Sequence, residues 1–192
     1  MTMEEKVHAV EQVFEQLDNE IEQFQDWSTL HCKFGCGKCC FKPDIEATVL
    51  EFVPFAYHLH KNALAVEWYE RLQKDVSDVC MILNPAQPGT GLCSEYPHRG
   101  LICRLFGFSA RTNKHGRKEL VTCEIIKTEQ PEMYEKARQK VEIDTGSVPM
   151  MHAYYLKLHA IDPDLARDFY PINIAIRKAI ETVLAYFSYR SN

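Results

Sequence analysis

Cys32-Lys33-Phe34-Gly35-Cys36-Gly37-Lys38-Cys39-Cys40 places four of the chain's eight cysteines within nine residues. Cysteine packs well as a small apolar side chain, but a core has no need of four of them in one loop beside lysines. Thiolates gathered around a metal explain the density, and the two glycines let the backbone fold closely around such a centre. The remaining thiols follow at Cys80, Cys93, Cys103 and Cys123. The stretch therefore sets the expectation of an irregular, cysteine-rich, metal-binding centre, around which the rest of the chain supplies the core.

The 192 residues suffice for one domain with a proper core, and no shift of composition marks a linker. The reading is a single mostly α domain with a small β-hairpin. It divides into a long N-terminal helix over 4–30, a cysteine cluster region over 32–123 and C-terminal helices over 129–190. With 27 acidic and 22 basic residues, net charge −5, a broad nucleic-acid surface is not expected. The N-terminus lacks the pattern of a signal peptide, and no run of about 18 apolar residues suggests a membrane span. A cytoplasmic location is expected. In a reducing compartment eight cysteines point to metal ligands or redox thiols rather than disulfides.

Outward from the loop, apolar residues at Val7, Val10, Phe14, Leu17, Ile21 and Phe24 form one helical stripe. It reads as a core face, and its heptads also suit a homodimeric coiled coil. Beyond the loop, Pro43 and Asp44 look like the start of a helix reaching His60, which Pro54 should end or bend. His58 and His60, two residues apart, do not share a helical face. A further helix is expected over Ala65 to Val79, delivering Cys80, and a loop over Asn84 to Gly91. A helical turn suits Leu101 to Cys103. Leu105–Ala110 and Glu119–Glu124 can be drawn as two strands joined by a polar, basic turn, a hairpin that would bring Cys123 back towards Cys103. Pro131 starts one helix, Val148 to Ala160 forms another, and Asp162 is placed to cap a short one. Ile172, Ile176, Ile180, Leu184 and Phe187 make a long final stripe.

The first four thiols are spaced C-x3-C-x2-C-C. Four ligands complete a zinc site or an iron–sulfur cluster, so eight thiols can serve one centre or two. Side chains of the neighbours Cys39 and Cys40 are expected to diverge rather than meet at one metal atom. A divalent ion with four thiolates carries a formal charge of −2, for which Lys33, Lys38, Lys42, Arg99 and Arg104 offer compensation.

The ordered set Cys36-Gly37-Lys38-Cys39-Cys40, Cys80-Met81-Ile82-Leu83, Cys93-Ser94-Glu95-Tyr96, Arg99 and Cys103-Arg104 resembles the CxxCxxCC family, the YkgJ-type cysteine cluster proteins. The resemblance covers roughly Cys32 to Cys123 and implies zinc or iron chelation by eight cysteines: Cys32, Cys36, Cys39, Cys40, Cys80, Cys93, Cys103 and Cys123. Two departures are visible, the three-residue first spacing and Gly100 where the family often carries proline. The favoured centre joins the Cys36 to Cys40 loop to Cys80, Cys93 and Cys103, so that the metal ties two parts of the chain together. As a binding module, the protein would use the metal to fold its loops and its surface to recognise a protein partner. As an enzyme, it would run cluster-dependent chemistry. Flagellin lysine methylases carry a similar cluster, and Cys32, Cys36 and Cys39 spell the C-x3-C-x2-C of radical S-adenosylmethionine enzymes. Neither a G-x-G nucleotide loop nor a βα series accompanies them.

Overall fold

In the computed structural model of the chain the described residues are 1–33, 36–74, 77–84, 92–143 and 148–190, with Asn84 and Leu92 described by their backbone alone. They are mostly helical. In chain order the elements are α1 (Met3–Ser28), β1 (Glu46–Thr48), α2 (Val53–Lys61), α3 (Ala65–Lys74), β2 (Leu83–Asn84), β3 (Leu92–Cys93), α4 (Leu101–Leu105), β4 (Ser109–Thr112), β5 (Lys118–Val121), α5 (Glu124–Glu129), α6 (Pro131–Ile143), α7 (Met151–Ile161), α8 (Pro163–Ala166), β6 (Phe169–Pro171) and α9 (Ile172–Ser188). Short 3-10 turns cover Lys38–Phe41, Leu50–Phe52 and Tyr96–His98. None of the helices described is long and apolar enough to cross a membrane.

The stripe of α1 is buried at all six positions, Val7 to Phe24. It is used inside the chain, so the seam that a coiled-coil dimer would need is already covered. Thr29, in the left-handed conformation at φ 57°, ends the helix, its amide donating to Gln25 O at 2.8 Å.

The chain forms two compact units. The first comprises 1–12, 35–100 and 158–192. Here α2 and α3 pack on α9, whose Ala175, Ile176, Ala179, Ile180 and Val183 are fully buried, as are Val53, Phe55 and Ala56 of α2. Phe55 meets Trp68 edge-on at 5.3 Å. β1 pairs antiparallel with β6, Ala47 opposite Tyr170, and Ile172 N–H donates to Ile45 O at 2.8 Å. Asp162 caps α8 by accepting from the amides of Asp164 and Leu165, as its position predicts, and forms an ion pair with Lys6.

The second unit comprises 13–34 and 101–157. Its core gathers Phe24, Leu30, Ala110, Leu120, Ile126, Ala137, Val141 and Val148, with Trp27 and Phe108 against it. Arg104, buried by its surroundings, pairs with Asp18 and lies 4.7 Å over the Phe14 ring.

Several expected elements move. The predicted helix from Pro43 to His60 is instead β1, a 3-10 turn and α2. Asp44 sits at φ 63°, which turns the chain into β1, and Pro54 lies in the first turn of α2, where its missing N–H costs nothing, so it starts the helix. The third helix is described as Ala65–Lys74 and does not reach Val79, since Ser77 to Val79 are not helical; Val76 lies outside the described residues. The hairpin exists as β4–β5, shifted from the strands expected at Leu105–Ala110 and Glu119–Glu124: α4 holds Leu105, and Cys123 caps α5. Gly107 N–H still donates to Val121 O at 3.1 Å, which draws the segments leading from Cys103 and towards Cys123 alongside each other. The pairs β1–β6 and β2–β3 are additional to the one hairpin foreseen.

Gly100 accounts for the departure from the family's proline. A Cβ here would stand 2.7 Å from Phe52 Cζ and 3.1 Å from Glu51 Oε2. Both neighbours are held: Phe52 is buried, and the buried Glu51 carboxylate accepts from Thr48 N–H at 2.6 Å and Thr48 Oγ1 at 3.1 Å. The position has no room for a side chain. Gly100→Ala is expected to destabilise the fold by about 1–3 kcal/mol through overpacking, read as a lower midpoint in chemical denaturation; an unchanged midpoint would refute the steric account.

Candidate metal centre

Five of the eight thiols, Cys36, Cys39, Cys40, Cys80 and Cys93, belong to the first unit; Cys32, Cys103 and Cys123 belong to the second. In the first unit the loop tightens at Gly37, whose left-handed backbone (φ 53°, ψ 3°) only glycine adopts without strain. Cys40 N–H donates to Gly37 O at 2.9 Å and opens the 3-10 turn that carries Cys39 and Cys40. The neighbouring side chains do not diverge: their sulfurs stand 4.0 Å apart. Two thiolates on one tetrahedral ion, with metal–sulfur bonds of about 2.3 Å, lie about 3.8 Å apart. The observed pair is already close to that separation.

Cys93 lies in β3, where it pairs with Leu83 of β2, and Cys80 stands three residues before β2, its carbonyl accepting from Leu83 N–H at 3.1 Å; Ser94 bonds Ile82 O through both its amide (3.1 Å) and its hydroxyl (2.9 Å). Among the described residues before Cys80, Ser77 to Val79 form neither helix nor strand. Asn173, buried in the first turn of α9, supplies what a sheet would: Nδ2 donates to Ser77 O (3.1 Å) and Val79 O (2.9 Å), and Oδ1 accepts from Met81 N–H (2.9 Å). One carboxamide thereby fixes the backbone on both sides of Cys80. Nothing in the cysteine pattern signals this residue, which sits in an apolar stripe where asparagine is out of character.

The thiols differ sharply in acidity. A hydrogen bond from Cys40 is the main cause that lowers Cys39 to about 6, against the opposing effect of burial; the Cys39 and Cys40 amides and the Arg99 guanidinium push the same way. Burial pushes Cys80 up to about 11, opposed by the amides of Ile82 and Leu83 and assisted by the charge of Cys93. Burial also raises Cys93, with the Glu95 amide and Arg99 working against it and the charges of Glu95 and Cys39 with it. Cys39, Cys80, Cys93 and Arg99 thus share one electrostatic neighbourhood, and the guanidinium is a counter-charge placed where thiolates accumulate.

Of the other cations expected to compensate, Arg104 is engaged with Asp18, Lys33 lies 3.9 Å from Glu129 with both side chains exposed, and Lys38 and Lys42 are exposed. His60 stacks on Phe187 at 4.3 Å and 8°. In the second unit Cys123 accepts from the Ile126 amide at 3.4 Å as the cap of α5. Cys32 lies next to His31, which is held by Gln130 through its amide (3.1 Å) and carbonyl (2.7 Å).

Residues 31–140, more than half of the chain, match a family model described as CxxCxxCC, a putative zinc- or iron-chelating domain. The chain belongs to the CxxCxxCC family. No curated protein and no solved structure matches it. Family membership makes this a metal-binding chain of the zinc- or iron-chelating kind, and the donors in the first unit suit that role: clustered thiols, amides directed at sulfur, and a cation beside them.

Asn173→Ala is expected to cost about 1–3 kcal/mol by leaving the Ser77 and Val79 carbonyls and the Met81 amide unpaired, and to lower bound metal. Hydrogen exchange at Met81 should accelerate more than in the α9 core; equal protection would show that the carboxamide is dispensable. In chelator-treated protein at pH 7, Cys39 should be alkylated first and Cys80 last of the first unit's thiols, because the thiolate is the reacting form. Peptide mapping by mass spectrometry reads the order, and early labelling of Cys80 would contradict it.

Proposed function

We propose that the chain holds one metal ion through Cys39, Cys40, Cys80 and Cys93, with Cys36 on the same loop, and that this centre folds the irregular part of the first unit. The 4.0 Å separation of the Cys39 and Cys40 sulfurs carries the reading, since it is near the edge of a tetrahedral four-thiolate site. Zinc suits such a closed site best, having no redox chemistry and favouring four sulfur ligands. Arg99 would offset part of the −2 charge of the filled site. The role is that of a metal-stabilised module, in a reducing compartment such as the cytoplasm where thiols stay available.

An iron–sulfur cluster is the second reading, favoured by the excess of thiols: eight are present where one ion needs four. Anaerobic purification with metal and sulfide analysis separates the two. Stoichiometric zinc in a colourless protein is the expected outcome; a brown protein containing iron and sulfide would replace the single-ion reading with the cluster. Cys39→Ser and Cys80→Ser should each lose metal and about 3 kcal/mol or more of stability, because binding energy is folding energy in a segment so poor in secondary structure. Unchanged metal content and melting temperature in both variants would remove these thiols from the ligand set.

A further inference from the structure

Outside the thiols, three side chains of the first unit converge: His58, Glu95 and His98 are half-buried, and a potential ligand atom of each lies within 4.8 Å of those of the other two. We infer that His58, Glu95 and His98 form a second, cysteine-free site for a divalent cation of the zinc or iron(II) class. The inference stands on this geometry and does not depend on which thiols bind the first metal.

The local chain explains the convergence. The turn Tyr96–His98 is 3-10, with His98 N–H donating to Glu95 O at 2.9 Å, and in that geometry side chains three residues apart eclipse one another. Glu95 enters this turn and His98 closes it, and their ligand atoms lie within 4.8 Å of each other. His58 comes from the last turn of α2, where the Asn62 N–H donates to its carbonyl at 3.2 Å. The two imidazoles lie almost face to face, centroids 4.1 Å apart and planes 30° from parallel. The Asn62 side-chain amide donates to His58 O at 2.8 Å and so ties down the end of α2 that carries the His58 ring.

Two histidines and a carboxylate on one side of an ion are a recurrent ligand set for zinc with an open fourth position and for iron(II) with several. Ligand atoms sharing an ion at about 2.1 Å are about 3.4 Å apart in a tetrahedron, so binding would draw the trio in from the 4.8 Å that bounds it and turn the stacked rings towards the ion. Unlike a closed four-thiolate centre, such a site leaves room for water or for an oxygen donor of a small molecule.

The sequence separates His58 from His98 by forty residues and places Glu95 two residues beyond Cys93, so the thiol pattern draws attention away from them. The test uses the full chain as purified, with its thiol-bound metal intact and counted. Cobalt(II) added anaerobically is expected to bind as one further equivalent, showing visible ligand-field bands without thiolate-to-cobalt charge transfer. His98→Gln and Glu95→Gln should abolish that equivalent while the original metal content and circular dichroism stay unchanged. If the trio is filled on isolation, the same variants should instead lower the metal count by one with sulfur absorption preserved. Binding of no further cobalt by a wild-type protein whose metal count the variants leave unchanged would overturn the site. So would cobalt binding that survives both variants, or that brings thiolate charge transfer. A variant with altered circular dichroism is replaced by His58→Gln, judged by the same readings.

Discussion

The Asn173 carboxamide is the contact on which the path of the chain around Cys80 depends. It makes three hydrogen bonds to backbone flanking Cys80, and it does so from α9, the helix that α2 and α3 cover with their apolar faces. A segment without helix or strand thereby acquires a fixed path. The cost of burying an amide side chain is met because both of its ends are used. From that anchor the chain enters β2, and β2 positions Cys93 by pairing it with Leu83.

Around this anchor the site combines two ways of handling polarity. Glu51 is fully buried yet is satisfied by Thr48, and it closes off the space beside Gly100. The thiols are instead left at intermediate or greater exposure, with amides and Arg99 arranged about them. The rigid part is filled by backbone and core, and the part proposed to accept the metal retains its thiols.

Strong periodicity made much of this fold legible. The stripes of α1 and α9 and the proline at the head of α6 are found where their residues predict, since a helix long enough to bury one face repeats its signal several times. The elements that escaped are short or nonlocal. β1 and β6 are three residues each and pair across more than a hundred residues, and the loop expected over Asn84 to Gly91, between β2 and β3, lies outside the described residues but for its ends. Pro54 reads as a stop or a bend in sequence, and its place at the head of α2 emerges only once its neighbours are placed. The eight cysteines announced a metal, but neither the closeness of the Cys39 and Cys40 sulfurs nor the reach of Asn173 could be read from spacing, because both depend on how a left-handed glycine and a distant helix turn the chain.

The opposed acidities of Cys39 and Cys80 bear on how the centre fills. With Cys39 lowered to about 6 and Cys80 raised to about 11, one sulfur near neutral pH is already an anion while the other still holds its proton. On the ligand set proposed above, an arriving cation would be captured at the loop and then locked by the hairpin. The second step would expel a proton. Assembly would accordingly have an order and a direction, slowing in acid, so that the ambient proton concentration governs how quickly the module matures.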